Sequence, residues 1–278
     1  MRLLIAGCGY VGTELGLRFG GPGHQVWGLR REPGSLPKPI LPLAADLLDP
    51  KLSERLPPAD HVVYAASADA SDPDAYRAAY VDGVTNLLEA LVEVGAPVER
   101  FIFVSSTAVY GDAAVGWVDE GTPPSPESFR GELVLEGERR VLSGPFPGVI
   151  LRLGGIYGPG RTRLLERVRS GEARCPPGGS IWSNRIHRTD AAGILAHLLT
   201  REAPGEVYIG VDDEPASRCE VYRFLAELLD APSPKEDTGA TSSRSNKRCS
   251  NRRIRASGYH FSFPSFREGY RAMVAESS

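Results

Sequence analysis

Six residues near the N-terminus constrain this chain more than any others: Gly7-Cys8-Gly9-Tyr10-Val11-Gly12. They follow directly on the apolar run Leu3–Ala6 and open a stretch, Tyr10–Phe19, whose apolar residues recur at helical spacing. Strand, glycine turn and helix in that order begin a βαβ unit, so the following strands are expected to pair in parallel under covering helices. In such a loop Gly7 permits the tight turn, Gly9 lets backbone approach a pyrophosphate, and Gly12 allows close helix packing. The helix N-terminus, at Tyr10 and Val11, presents unpaired N–H groups to the anion. Dinucleotide binding is the reading, and a glycine-rich turn without a ligand is the alternative.

Further strands are predicted at Gln25–Leu29, Leu41–Ala44, His61–Ala65, Phe101–Ser105 and Val149–Leu153, with helices over Asp74–Val94 and Phe129–Leu142. The first of these helices carries Ala78, Val81, Val84, Leu87, Leu88, Leu91 and Val92 on one side. Six strands and their crossovers predict an α/β protein with a Rossmann-type doubly wound parallel sheet. After Leu153 the texture changes to Gly-, Pro- and Arg-rich loops, and helices near Asp190–Leu199 and Glu220–Leu229 flank a strand at Val207–Ile209. The predicted organisation is an NAD(P)-binding domain over 1–153, to which 186–200 returns, and a small C-terminal substrate-binding lobe from 154–185 and 201–278. Pro232–Asn251 is polar and reads as a surface loop ahead of a last helix from Ser265.

Composition removes other classes. With 41% hydrophobic and 24% charged residues in 278, and a net charge of −3, the chain can build a core but lacks the basic excess that nucleic-acid backbones demand. Its apolar runs fall well short of the roughly 20 residues that span a bilayer. The N-terminus enters a glycine turn, not a cleavage site, which predicts a cytoplasmic protein. Cys8, Cys175, Cys219 and Cys249 are scattered without metal-ligand spacing, arguing against a disulfide framework and against any metal.

The end of the second strand selects the cofactor. About 20 residues beyond the glycines, where a carboxylate would hold the ribose hydroxyls of NAD, the chain has Arg30 and Arg31. A guanidinium fork suits a 2′-phosphate, so NADP(H) is favoured over NAD(H); two solvated arginines are the alternative. Asp46 either accepts from the adenine amino group or caps the next turn.

The fifth strand runs into Val104-Ser105-Ser106-Thr107-Ala108-Val109-Tyr110-Gly111, and the sixth into Leu151-Arg152-Leu153-Gly154-Gly155-Ile156-Tyr157-Gly158-Pro159-Gly160-Arg161. Together with the glycine loop, Asn86–Ala90, Arg185–Asp190 and the closing Ser250-Asn251, Gly258-Tyr259 and Phe263-Pro264-Ser265, these segments resemble the NAD-dependent epimerase/dehydratase family of extended and atypical short-chain dehydrogenase/reductases. The resemblance implies oxidoreductase, epimerase or dehydratase chemistry, most often on nucleotide sugars. It implies that Ser106 stands at the family's catalytic Ser/Thr position and that Ala65, Ala66 and Ser67 line the cofactor. It also implies a Tyr-x-x-x-Lys pair on the helix after the fifth strand, and here the sequence departs. None of the ten tyrosines has lysine at the fourth following position, and no lysine occurs between 52 and 234.

Ser106, with Thr107 and Tyr110, is therefore the candidate catalytic group, Tyr110 lacking a cationic neighbour to lower its pKa from about 10. Glu120, Glu127 and Glu132 are carboxyl candidates that equally suit solvated faces. His187 and Asp190 read as a His–Asp pair or as a structural histidine beside a helix cap. Arg152, Arg161, Arg163, Arg185 and Arg188 either clamp a diphosphate beside Tyr157 and His187 or lie on the surface. The basic run Arg244, Lys247, Arg248, Arg252, Arg253 and Arg255 reads as solvated. The expected partner is a small molecule, a nucleotide sugar, with neither nucleic acid nor membrane, and a homodimer is the candidate assembly. The competing function is a catalytically inactive NADP(H)-sensing or partner-binding module.

Overall fold

The structure, a computed structural model, describes residues 1–34, 36–111, 116–176, 181–237 and 246–276. Seven strands form one sheet: β1 (Arg2–Ala6), β2 (Gln25–Arg30), β3 (Leu41–Ala44), β4 (His61–Tyr64), β5 (Arg100–Ser106), β6 (Gly148–Leu153) and β7 (Val207–Gly210). Their order is β7-β6-β5-β4-β1-β2-β3 in a parallel sheet. Leu3 faces Val26 on one side and His61 on the other, and Val62 faces Phe101. The central strands are unbroken apolar runs because helices cover both faces: Leu3–Ala6, Val62–Tyr64 and Phe101–Phe103 are wholly buried. Pro42 sits on the edge strand β3, where its missing N–H breaks no ladder. Strand order reverses beside β1, and in such sheets the crevice outside the carboxyl ends at that point takes ligands.

Helix α1 (Tyr10–Arg18) follows β1, and the long helix expected over Asp74–Val94 is three pieces: α2 (Pro73–Arg77), a π-helical turn (Ala78–Asp82) and α3 (Gly83–Glu93). The break has a local cause. The Tyr64 hydroxyl donates to Ala79 O at 2.5 Å, and a Cβ on Gly83 would lie 2.7 Å from that hydroxyl, so a core side chain occupies the helix ladder. Val92, expected on the apolar side, is 54% exposed, and the buried stripe runs through Val81, Val84, Leu87, Leu88 and Leu91. Helix α4 (Phe129–Leu142) starts at Ser128, whose Oγ accepts from Gly131 N–H.

The chain divides into two compact units, Met1–Val109 with Pro124–Arg152 and Ala192–Tyr208, and Tyr110–Pro123 with Leu153–Ala191 and Ile209–Ser278. The strand read from sequence as part of the lobe, Val207–Ile209, is the seventh of the sheet. The second unit contains helices α5 (Arg163–Arg169), α7 (Arg218–Leu228), α8 (Arg252–Ala256) and α9 (Phe266–Glu276), and α6 (Arg188–Thr200) is divided between the units at Ala191 and Ala192. Leu165, Val168, Val221, Leu225, Phe266 and Met273 form its core.

Two expectations about this unit fail. Cys175 and Cys219, 44 residues apart in sequence, form a disulfide with Cα atoms 5.2 Å apart, joining elements that only the tertiary fold brings together. The stretch Pro232–Asn251 is not plain surface loop. Lys235–Glu236 and Arg248–Cys249 are strands, and Lys247, Cys249 and Asn251 are buried; 238–245, with Arg244, lies outside the described residues. Among the described residues no helix is long and apolar enough to cross a membrane.

Candidate functional site

In the first unit the glycine loop joins β1 to α1. Gly7 has φ +79°, and a Cβ there would stand 2.3 Å from Ala66 backbone, so conformation and space both require glycine. The N–H groups of Gly7 and Cys8 donate to Leu29 O at 3.0 and 3.1 Å and pin the loop to β2. Gly9 is different: a Cβ would meet nothing nearer than Gly7 O at 3.9 Å, so the chain leaves open space there. A Cβ on Gly12 would lie 2.8 Å from Ile5 Cγ2, which brings α1 directly onto β1. No side chain caps α1 at Gly9, so the positive end of the helix dipole faces the loop beside half-buried Tyr10 and buried Val11.

Around the loop, Arg30 ends β2 and makes no side-chain hydrogen bond or ion pair among the described residues. Its charge pulls the Cys8 thiol down, but burial is the larger effect and raises that pKa. Arg31 reaches Asp69 at 2.8 Å, both side chains well exposed, a pairing of little strength in water. Asp46 is exposed, and its Oδ1 accepts from Leu48 N–H at 3.0 Å, the turn-capping alternative. Ala65 and Ala66 are half-buried just beyond β4, and Ser67 is exposed. An open glycine, an uncapped helix end and an uncommitted guanidinium at the end of β2 suit a dinucleotide pyrophosphate with a charged ribose.

Ser106 closes β5, half-buried, and its Oγ accepts from Ala108 N–H at 3.1 Å, which leaves its own O–H to donate elsewhere; Thr107 follows in a short 3₁₀ turn. The first turn of α4 abuts this segment, since a Cβ on Gly131 would lie 2.6 Å from Ala108 O. Beside it the exposed Arg130 donates to Ser71 Oγ at 2.7 Å and stacks over Phe129, with its Cζ 5.4 Å from the ring centre. Sequence reasoning missed this residue, which lies in the first turn of the helix after β5. Arg152, expected to bind substrate, is instead in the core of the first unit. Its Nε and Nη2 donate to Glu138 Oε1 and Oε2 at 2.9 and 2.6 Å, and Ser105 Oγ donates to Oε1, so its charge is neutralised and its fork is engaged. Glu138 escaped notice too; its one sequence signal is a carboxylate at helical spacing from Val134 and Val141.

The remaining candidates belong to the second unit. Tyr110 is 2% exposed, so its side chain is buried and not at the surface. Tyr157 is buried and stacks on Tyr270 at 4.5 Å, with its pKa raised chiefly by burial. His187 is buried against Tyr157 and Phe263, burial and then Arg188 lower its pKa to about 4, and its Nδ1 accepts from Thr189 N–H. A ring so held is neutral at pH 7. Asp190 is fully buried, accepting from Tyr259 Oη and from Ser262 and Phe263 N–H, so it fastens the C-terminal segment and does not pair with His187. Glu120 is likewise structural, accepting from Ile209 N–H at 2.9 Å. Arg185 donates to Ser183 Oγ, and Arg161, on the surface, donates to Ile156 O. Asp212, unnoticed in the sequence, is buried with Oδ2 unpartnered, its pKa raised to about 8 chiefly by burial. Among the described residues no three metal-ligating side chains gather.

Sheet, glycine loop and flanking helices define a Rossmann-type NAD(P)-binding protein. The chain belongs to the NAD dependent epimerase/dehydratase family, whose sequence profile matches residues 3–210. It is similar to the epimerase family protein SDR39U1 of Homo sapiens, with 26% identity over 303 residues, 99% of this chain and 100% of that protein. A solved structure from Methylobacillus flagellatus, of the NAD-dependent epimerase/dehydratase class, is 36% identical, with a TM-score of 0.82 over 99% of this chain and 98% of that one. MoeE5 in complex with UDP-glucuronic acid and NAD shares the fold at 24% identity, with a TM-score of 0.85 over 100% and 99% of the two chains. The SDR39U1 structure, solved with NADPH, shares it with a TM-score of 0.81.

Proposed function

We propose that this chain is an NADP(H)-preferring oxidoreductase, epimerase or dehydratase acting on a nucleotide-sugar-like substrate without a Tyr-x-x-x-Lys pair. The observation that carries the reading is the glycine loop beside Arg30, a guanidinium with no competing partner among the described residues where a carboxylate would select NAD. A charge-assisted hydrogen bond to a 2′-phosphate is worth about 1.5–3 kcal/mol, roughly 10–100-fold in affinity. Arg31 supports it once Asp69 yields the exposed pair. When bound, a nicotinamide supplies a hydride donor or acceptor. The chain's own part is to hold the dinucleotide at Gly7, Gly9 and Gly12, between Ala65–Ser67 and the α1 terminus, and to offer the Ser106 hydroxyl, beside Thr107, to a substrate oxygen. Tyr157, Arg161, Arg185 and His187 remain the candidates for shaping the substrate lobe.

A serine cannot supply a proton at neutral pH, and a positioned acid or base contributes typically 10²–10⁴-fold. Turnover of NADPH with carbonyls and UDP-sugars should therefore run orders of magnitude below the enzyme median of about 10 s⁻¹. It should fall further in Ser106→Ala. A wild-type rate near that median and indifferent to Ser106→Ala contradicts the mechanism, whereas tight NADPH binding with no turnover on any substrate favours the sensing module.

A further inference from the structure

The two arginines at the end of β2 are in different states. Arg30 makes no side-chain hydrogen bond or ion pair among the described residues, whereas Arg31 donates from Nη2 to Asp69 Oδ2 at 2.8 Å. The partners of that pair come from opposite sides of the glycine loop. Strand order places β1 between β4 and β2, all three parallel, so the carboxyl ends of β4 and β2 flank the loop that continues β1. Arg31 is the first residue past β2, and Asp69 lies a short way past β4. Their contact joins the two flanks of the crevice that such a sheet opens to a dinucleotide.

The segment that carries Asp69 does not depend on this contact. Before it, Ala65 N–H donates to Ala6 O at 2.8 Å, and the Ala66 backbone packs against Gly7. After it, Ser71 Oγ accepts from Arg130 at 2.7 Å, and Asp72 Oδ1 accepts from Ala75 N–H at 2.9 Å at the start of α2. Both side chains of the Arg31–Asp69 pair are well exposed, and an exposed ion pair adds little to folding. What the pair does change is the charge offered to a ligand. A guanidinium engaged by a carboxylate presents fewer donors and less net positive charge to an arriving phosphate.

We infer that Asp69 is a specificity-determining residue: it competes with the 2′-phosphate of NADP(H) for Arg31 and so limits the preference for NADP(H) over NAD(H). A ribose bearing only hydroxyls leaves the Arg31–Asp69 pair in place, because a neutral hydroxyl does not displace a carboxylate from a guanidinium. A phosphate monoester, with nearly two negative charges at pH 7, does. Arg30 then sets the direction of the preference, and Asp69 sets its size. The inference rests on the NADP(H) reading of the cofactor site.

Calorimetric titration of the full chain with NADPH and with NADH tests it in wild type, Asp69→Asn, Arg31→Ala and the double variant. Asp69→Asn keeps the side chain's size and removes its charge. It is expected to bind NADPH roughly two- to fivefold tighter than wild type, the range of an exposed ion pair, and to bind NADH with unchanged affinity. In the Arg31→Ala background the same substitution should change neither affinity, since the group competed for is gone. Equal NADPH affinity in wild type and Asp69→Asn overturns the inference. So does equal tightening of NADPH and NADH, which would make Asp69 a general barrier to the crevice, and so does a gain that persists without Arg31. The cofactor reading fails separately. A wild type that binds both cofactors equally, with a preference for NADPH appearing in Asp69→Asn, sustains the competition and overturns the wild-type preference. A wild type with the preference and an unchanged Asp69→Asn does the reverse, and failure of wild type and variant to bind either cofactor overturns both.

Discussion

Each glycine of the loop is required for a different reason, and the difference is measurable. Gly7→Ala places a methyl group 2.3 Å from Ala66 backbone at a positive φ, so it should lower the melting temperature sharply. Gly9→Val adds bulk only to open space and should melt near wild type while losing NADPH in fluorescence titration. Wild-type NADPH affinity in Gly9→Val would show that the cofactor is not held at this loop. The tight turn at Gly7 and the close helix packing at Gly12 were legible because spacing dictates them. The roles of Arg152 and His187 were not. What decides them is burial and partners contributed by distant elements, Glu138 on α4 for one and Phe263 near the C-terminus for the other.

Strands and helices were legible where their burial is simple. Leu3–Ala6 and Phe101–Ser105 read correctly because central strands are apolar throughout, whereas the break before α3 is set by Tyr64, a residue of another element. The buried Arg152–Glu138 pair couples β6 to α4, and removing one partner leaves a charge stranded in the core. Glu138→Ala should therefore cost about 3–5 kcal/mol in denaturant unfolding, and replacing both residues with apolar ones of like volume should cost far less. Equal losses in the single and double variants would show that packing, not charge, is at issue.

Asp212, just past β7, gives the second unit a pH signature. Its folded pKa of about 8 exceeds the ordinary 3.8, so the folded state keeps a proton that the unfolded state releases, and stability falls as pH rises between those values. His187 acts in the opposite sense between its ordinary 6.5 and about 4, losing stability as pH falls, so the two trends oppose below 6.5 and Asp212 acts alone above it. Asp212→Asn should accordingly melt above wild type at pH 8 and match it near pH 4. A difference independent of pH would contradict the protonated carboxyl.

At the scale of the whole molecule, the fold class was readable, and the make-up of the second unit was not. The second unit is assembled from three separated stretches, including Tyr110–Pro123, and its hidden order, from the Cys175–Cys219 disulfide to the buried Lys247 and Asn251, depends on contacts between residues far apart in sequence. The central claim nevertheless rests on the part that could be read, a glycine loop whose neighbouring strand ends in arginine. Calorimetric titration of wild type and Arg30→Asp with NADPH and NADH tests it most directly. The account predicts NADPH several-fold tighter than NADH in wild type, with that preference lost in Arg30→Asp; equal affinities in wild type, or an unchanged preference in the variant, would contradict it.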